Sequence, residues 1–325
     1  MNVIVEREKG PLAELEARIV TLRSRGSASP EDLRVLEGKY EELLRDLFGN
    51  LTPWERVNMA RHPKRPIGSD YIAALDTFDE LHGDRHFRDD PALAGGFAKL
   101  RGRRVVVLAQ QKGRDTKENI RRNFGMVSPE GYRKAKRLME LASRFNLPIV
   151  TFVDTSGADP GIASEEHAQA EAIAACLTTL AKARVPVVAT VIGEGGSGGA
   201  LALALADTTI MAENAVYSVA SPEGCAAILW GDAARAPEAA ERLKLTSADL
   251  AGFGIVDRIV KEPLGGAHRD APAFVGRVLD AIDDELRALE ARSPDELRDA
   301  RYRKFRRIGA WEREAQALVA TAAIP

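Results

Sequence analysis

Three glycine-bearing stretches carry the residue types that could do chemistry, and each follows a run that predicts a strand. They are Gln110-Gln-Lys-Gly-Arg-Asp-Thr-Lys117, Asp154-Thr-Ser-Gly-Ala-Asp-Pro-Gly161 and Gly193-Glu-Gly-Gly-Ser-Gly-Gly-Ala200. The apolar, β-branched run 185–192 before the third reads as a buried strand, and Leu201–Ala206 after it as a buried helix. A strand, a tight glycine turn and a helix N-terminus gather unpaired backbone N–H groups at one point, where they stabilise negative charge.

Several anions fit such a point. A P-loop is excluded, because no Gly-Lys-Ser or Gly-Lys-Thr follows the glycines. Gly193, Gly195 and Gly198 satisfy Gly-x-Gly-x-x-Gly, with Glu213 about 20 residues on where a ribose-binding acid would stand. Against a dinucleotide site, the stretch comes late in the chain and Glu213 lies between two short strands. Gly195-Gly-Ser197-Gly-Gly199 also satisfies Gly-x-Ser-x-Gly, the elbow of a serine hydrolase. That elbow needs a downstream acid and then a histidine, and His268 is the one later histidine. A hydrolase with Ser197 as nucleophile therefore stands as an alternative. In the remaining reading, the backbone N–H groups of this stretch form an oxyanion hole, and Ser197 is merely small enough for close approach.

Around the first stretch, Lys112, Arg114, Lys117, Arg121 and Arg122 outnumber Asp115 and Glu118. A net positive loop suits a phosphate or carboxylate ligand, and equally a solvated surface. His82 and His86 stand at i, i+4, but Gly83 and the neighbouring aspartates argue for a loop rather than a helical metal site. Two cysteines, Cys176 and Cys225, exclude a disulfide framework and a four-cysteine zinc site. No metal site is expected.

The 325 residues hold 45% hydrophobic and 29% charged side chains with a formal net charge of -2. That is ordinary for a soluble globular chain and argues against a nucleic-acid or membrane-surface binder. The N-terminus lacks a signal-peptide core and no apolar run is long enough to span a bilayer, so a cytoplasmic protein is expected.

The elements that must position these residues follow from periodicity. Segments 11–24 and 31–48 predict an N-terminal helical hairpin, and the proline-rich 51–66 predicts a linker. Residues 78–90 predict a loop. Strands are expected at 95–100, 104–110, 148–153, 185–192, 208–211, 216–219 and 254–260. Helices are expected at 128–146, 165–182, 221–230 and 246–250, the first capped by Ser128. The alternation predicts an α/β fold. Beyond it, 274–289 is amphipathic, and 295–315 is highly charged with Tyr302, Phe305 and Trp311. Its arginines suit a phosphate contact, but the neighbouring Asp and Glu favour a solvated helical tail.

Taken together, Leu51–Val57, Ala60–Pro66, Glu80–Arg85, Gln111–Lys117, Arg121–Met126 and Pro129–Lys134 resemble the carboxyltransferase α subunit of bacterial acetyl-CoA carboxylase. So do Val191–Ala200, Ser221–Cys225, Ile228–Trp230 and Glu262–Arg269. The resemblance implies a crotonase-type spiral of ββα units between an N-terminal hairpin and C-terminal helices, with boundaries at 1–50, 51–270 and 271–325. It implies an α2β2 enzyme whose β subunit is a separate zinc-ribbon chain. That enzyme moves a carboxyl group from carboxybiotin, on a biotin carboxyl carrier protein, to acetyl-CoA, giving malonyl-CoA for fatty acid synthesis. No cofactor is bound covalently by this chain, and ATP is used only by the separate biotin carboxylase component. The biotin anion and the acetyl-CoA enolate are both oxyanions, so N–H donors at Gly198 and Gly199, with Gly195 and Gly196 beside them, suffice in place of an acid–base set. Lys112, Arg114, Gly157, Pro160, Gly161, Ser221, Glu223 and Gly224 are the substrate-binding candidates. A stand-alone crotonase-fold CoA enzyme remains the other alternative.

One loop departs from the family pattern. Ser156, Asp159, Ala163, Ser164, His167 and Ala168 replace its usual residues, while Pro160 and Gly161 keep the turn. Loss of an aromatic and gain of Asp159 are expected to alter biotin stacking or acceptor preference.

Overall fold

The computed structural model describes residues 2–25 and 29–309. Among them, eight strands form one sheet: β1 (Thr77–Glu80), β2 (Leu93–Leu100), β3 (Arg103–Gln110), β4 (Ile149–Thr155), β5 (Val187–Gly196), β6 (Thr208–Ala212), β7 (Val216–Ser218) and β8 (Arg258–Val260). Their order is β1-β2-β3-β4-β5-β6-β8, and β7 pairs with the end of β5. The first three strands are antiparallel. From β3 onward the neighbours are parallel, joined by helical crossovers. Runs without a polar face explain this, since parallel strands are covered on both sides. Every residue of β4 and all but the last of β5 are buried.

One helix covers β2 and β3, and a second packs on it. In Pro129–Arg144, Tyr132, Ala135, Leu138, Met139 and Ala142 are buried at helical spacing. In Gln169–Lys182, Ala172, Cys176 and Leu180 are. The helix Ala271–Glu290 packs on β5, β6 and β8. Arg301, in the helix Pro294–Arg307, is only 1% exposed. It donates to Asp207 and to the carbonyls of Leu180, Ala183 and Val185, and so pins that helix to the core. The tail beyond residue 309, with Trp311, lies outside the described residues.

The structure differs from the sequence reading in six places, the first being that the strand expected over 254–260 is confined to Arg258–Val260, after a turn. The 51–66 segment is no linker: Pro53–Ala60 is a helix with a Thr52/Glu55 capping box, followed by the inward-reaching Arg61 and Arg65. Its prolines sit at the helix start and beyond its end, where they are tolerated. Residues 77–80 pair with β2 as the edge strand rather than looping. Ser128 does not cap its helix; its N–H and hydroxyl both donate to Asp90 Oδ2, at 2.7 and 2.9 Å. The helix expected over 165–182 breaks at Ala168, whose φ is +62°, into Ile162–Glu166 and Gln169–Lys182. Finally, Gly193–Gly196 are strand, not turn, and the helix Ser197–Ala204 follows at once.

A candidate oxyanion site at the glycine helix

The chain turns from strand to helix at Ser197, held at φ +49°. A side chain in that region costs on the order of 1 kcal/mol or more and persists only where its surroundings enforce it. The surroundings are the 155–161 loop, which lies directly on the glycines. A Cβ at Gly196 would overlap the Ser156 carbonyl, and one at Gly199 would overlap the backbone of Gly157 and Ala158. Glycine is thus required at both positions by close approach. The first N–H groups of the Ser197–Ala204 helix have no intrahelical acceptor. They begin at the wall of a 580 Å³ cavity lined by Ser197, Gly198, Leu201, Tyr217, Leu250 and Phe305 among others. The lining is largely apolar, which strengthens any charge–dipole interaction inside it.

Beneath the glycines runs a chain of charges. Lys112 Nζ lies 2.8 Å from both Asp154 Oδ1 and Glu194 Oε2. Glu194 Oε1 accepts from Arg61 Nε at 2.7 Å, and the far side of Arg61 pairs with Glu223. Asp154 Oδ1 also accepts the Glu194 N–H at 2.9 Å. Burial opposes ionisation of Glu194, but Lys112 and Arg61 outweigh it and carry the carboxyl down to about 2. Burial likewise opposes the Lys112 ammonium, and Asp154 with Glu194 holds it above the usual lysine range. The network fixes the end of β5 against β4 and against the helix Pro222–Trp230.

The substrate-binding candidates therefore divide. Lys112 and Glu223 are consumed by internal ion pairs. Arg114 pairs with Asp70 on an exposed face. The Ser221 hydroxyl accepts the Gly224 N–H at 3.1 Å and caps its helix. Gly157, Pro160 and Gly161 lie in the loop over the glycine helix, where Gly157 donates to the Thr155 hydroxyl at 3.2 Å. Two of the unusual loop residues satisfy each other: the Ser164 hydroxyl donates to Asp159 Oδ2 at 2.6 Å. A third, His167, places Nδ1 2.6 Å from the buried Glu130. Gln110, Asp154 and Glu194 stand in the three glycine-bearing stretches, and Arg61 and Tyr132 in motifs of the resemblance, but the sequence assigns none of the five a role of its own. Arg61 and Glu194 stand inside motifs of the resemblance, but a pairing across 133 positions leaves no local signal.

Ser197 has no histidine partner among the described hydrogen bonds. His268 instead points Nε2 at Glu8 Oε1, 2.6 Å away. His62 Nε2 meets the other oxygen of Glu8 at 3.0 Å, and the two imidazoles stack at 3.8 Å with 18° between their planes. Glu8, His62 and His268 are the one group of three candidate metal ligands among the described residues. Stacked rings send their nitrogen lone pairs out in parallel rather than converging on one ion. Arg269 also donates to Glu8, at 2.8 Å. The trio is a hydrogen-bonded latch that holds the first helix, Val3–Arg7, to the core. Among the described residues no helix is long and apolar enough to cross a membrane.

Comparison with known proteins gives this geometry a family. Residues 4–309 match the model described as acetyl co-enzyme A carboxylase carboxyltransferase-like. The chain is 52% identical over 307 residues to the acetyl-coenzyme A carboxylase carboxyl transferase subunit alpha of Burkholderia mallei, covering 93% of this chain and 95% of that one. To the subunit of the same name from Rhizorhabdus wittichii it is 54% identical over 314 residues, 95% of this chain and 100% of that one. Among solved structures it is similar to the transcarboxylase 12S core, with TM-score 0.57 and 21% identity over 70% of this chain and 42% of that one. It is also similar to a Pseudomonas malonate decarboxylase hetero-tetramer, with TM-score 0.55 and 20% identity over 72% of this chain and 90% of that one. The structural likenesses show the fold, a crotonase-type α/β architecture. The sequence likeness shows more: the chain belongs to the acetyl co-enzyme A carboxylase carboxyltransferase family, among its α subunits.

Proposed function

We propose that the chain, assembled with a β subunit as α2β2, transfers the carboxyl group of carboxybiotin to acetyl-CoA and forms malonyl-CoA. Carboxybiotin arrives as substrate on a carrier protein, charged by a separate ATP-using component. The observation that carries the reading is the first turn of Ser197–Ala204, which has no side-chain cap and whose Ser197 and Gly198 line an apolar cavity that no carboxylate or histidine lines. A reaction that passes through oxyanions needs such donors fixed in advance, because donors that must reorient lose most of their effect. Gly198 and Gly199 are the donors in this reading, and Gly195 and Gly196 let the backbone come close. Gly157, Pro160 and Gly161 wall the site from the loop side. Lys112 and Glu223 act on the donors' position through Glu194 and Arg61, not on the ligand.

Two experiments test this. The chain alone should be inert, and with β, carboxybiotin-loaded carrier and acetyl-CoA it should make malonyl-CoA. Turnover of an enoyl-CoA or a peptide ester by the lone chain would overturn the reading. Gly199→Val keeps the N–H but drives a side chain into the Gly157–Ala158 backbone, and the displaced donor should lower transfer by about 10²–10³ or more, as the loss of one oxyanion donor does. Assembly with β, followed by native mass spectrometry, should survive. Unchanged turnover in an assembled variant would remove Gly199 from the site.

A further inference from the structure

We infer that Gln110 and Tyr132 are positioning residues that jointly clamp the Gly199 carbonyl and so hold the oxyanion donors in place; this rests on the function proposed above. Gln110 ends β3 and is fully buried. Its Nε2 donates to the Gly199 carbonyl at 2.8 Å. Its Oε1 accepts the Asp154 N–H at 3.0 Å. One side chain therefore ties β3, the end of β4 and the first turn of the glycine helix together. Tyr132, also fully buried, comes from the helix Pro129–Arg144 and donates its hydroxyl to the same carbonyl at 3.2 Å.

Two buried side-chain donors from different elements converge on one backbone oxygen and can fill both of its lone pairs. The need lies in the sequence around it. Four of the five residues 195–199 are glycine. Such a segment has the largest conformational freedom to lose, and so the least fixed N–H directions when left alone. On one side Gly199 is blocked by the Gly157–Ala158 backbone. On the other it is held by Gln110 and Tyr132. Fixing its carbonyl fixes the plane of the following peptide and the place of the Gly199 Cα. Burial raises the Tyr132 hydroxyl well above its usual range, so it stays a donor across the working pH. Neither side chain lines the cavity beside Ser197 and Gly198. Both act through the backbone, not on substrate.

The test uses the α2β2 complex with loaded carrier and acetyl-CoA, comparing wild type, Gln110→Met, Tyr132→Phe and the double variant. Gln110→Met should lower kcat by about 10–100-fold, short of the loss of a whole donor, with KM for acetyl-CoA within about twofold. Tyr132→Phe should lower kcat by about 2–5-fold. Because either donor alone still restrains the carbonyl, the double variant should lose at least about threefold more than the product of the single losses. Wild-type kcat in both single variants and the double would overturn the inference. So would losses that simply multiply and follow a fall in melting temperature. If Gln110→Met does not assemble, Tyr132→Phe decides by the same split: lower kcat at constant KM supports the clamp, and unchanged kcat overturns it. A wild-type complex that transfers nothing would instead sink the parent reading, which separates the two failures.

Discussion

Lys112 looks, in sequence, like the cation that would meet a charged ligand. Its ammonium is instead the counter-charge that lets Asp154 and Glu194 lie side by side under the glycines. The wild-type consequence has a definite sign. Glu194 is depressed to about 2. Its stabilisation is therefore complete above the ordinary glutamate value of about 4.3 and is lost as pH falls towards 2. Lys112→Met should reverse this. With one cation gone, Glu194 is held charged against burial and a neighbouring carboxylate, and its folded value rises above the unfolded one. Its contribution is then present at low pH and lost as pH rises. The variant should be destabilised by roughly 3 kcal/mol at neutral pH, in the range for removing one partner of a buried pair. It should also be more stable to urea at pH 5 than at pH 8. A variant with the wild-type pH slope would show that Arg61 alone neutralises the site.

At the scale of elements, the N-terminal helix is held by chemistry rather than by area. Val3–Arg7 has five residues and buries Ile4 alone. Asn2 and Val3 bond Asn58, Arg7 bonds the Leu47 carbonyl and Glu55, and the carboxylate just past the helix end bonds His62, His268 and Arg269. Burial opposes the Glu8 charge, but the bonds from His268 and His62 bring its pKa far below the usual range. Burial also lowers His268, so the ring stays neutral when docked. Both groups have depressed folded values. The latch is thus complete above the unfolded histidine value of about 6.5 and weakens as pH falls through it and on through the carboxylate range. Amide exchange of residues 4–7 should be slow at pH 7.5 and should accelerate, relative to the intrinsic rate, at pH 5.5. Glu8→Gln should show fast exchange at both. Equal protection in that variant would mean that packing of Ile4 suffices.

The same scale shows what was legible in the sequence. The buried strands and the amphipathic helices were, because period and apolar content are local. The glycine stretch reads as a candidate anion site from its residue types alone, yet its first four residues read as turn. Gly193–Gly196 lack the β-branched side chains that mark a strand, and they are extended only because β4 and β7 pair with them. The 51–66 segment was misread for a related reason. Arg61 and Arg65 are basic residues among prolines, and only Glu194 and Glu262, far along the chain, turn them into internal struts. Gln110 and Tyr132 lie within quoted stretches, but nothing in those stretches points to Gly199. Their roles exist only in the distances to Gly199.

For the whole molecule, the latch joins residues 260 positions apart, Glu8 and His268. Protein synthesis delivers these partners in order, never together. At about 5–20 residues per second, the first helix leaves the ribosome roughly 13–50 s before the ring that receives it. Through that interval Glu8 has His62 but neither His268 nor Arg269, while the hairpin behind it can already close on its own cluster of Leu12, Leu44, Phe48, Leu51 and Met59. Arrested nascent chains shorter than residue 268 should be cut by a protease within residues 3–9, and chains long enough to expose residue 269 should resist. The contacts that join the beginning of this polypeptide to residues 268 and 269 are thus among the last to form, and any gain in protease resistance at that step reports completion of the chain.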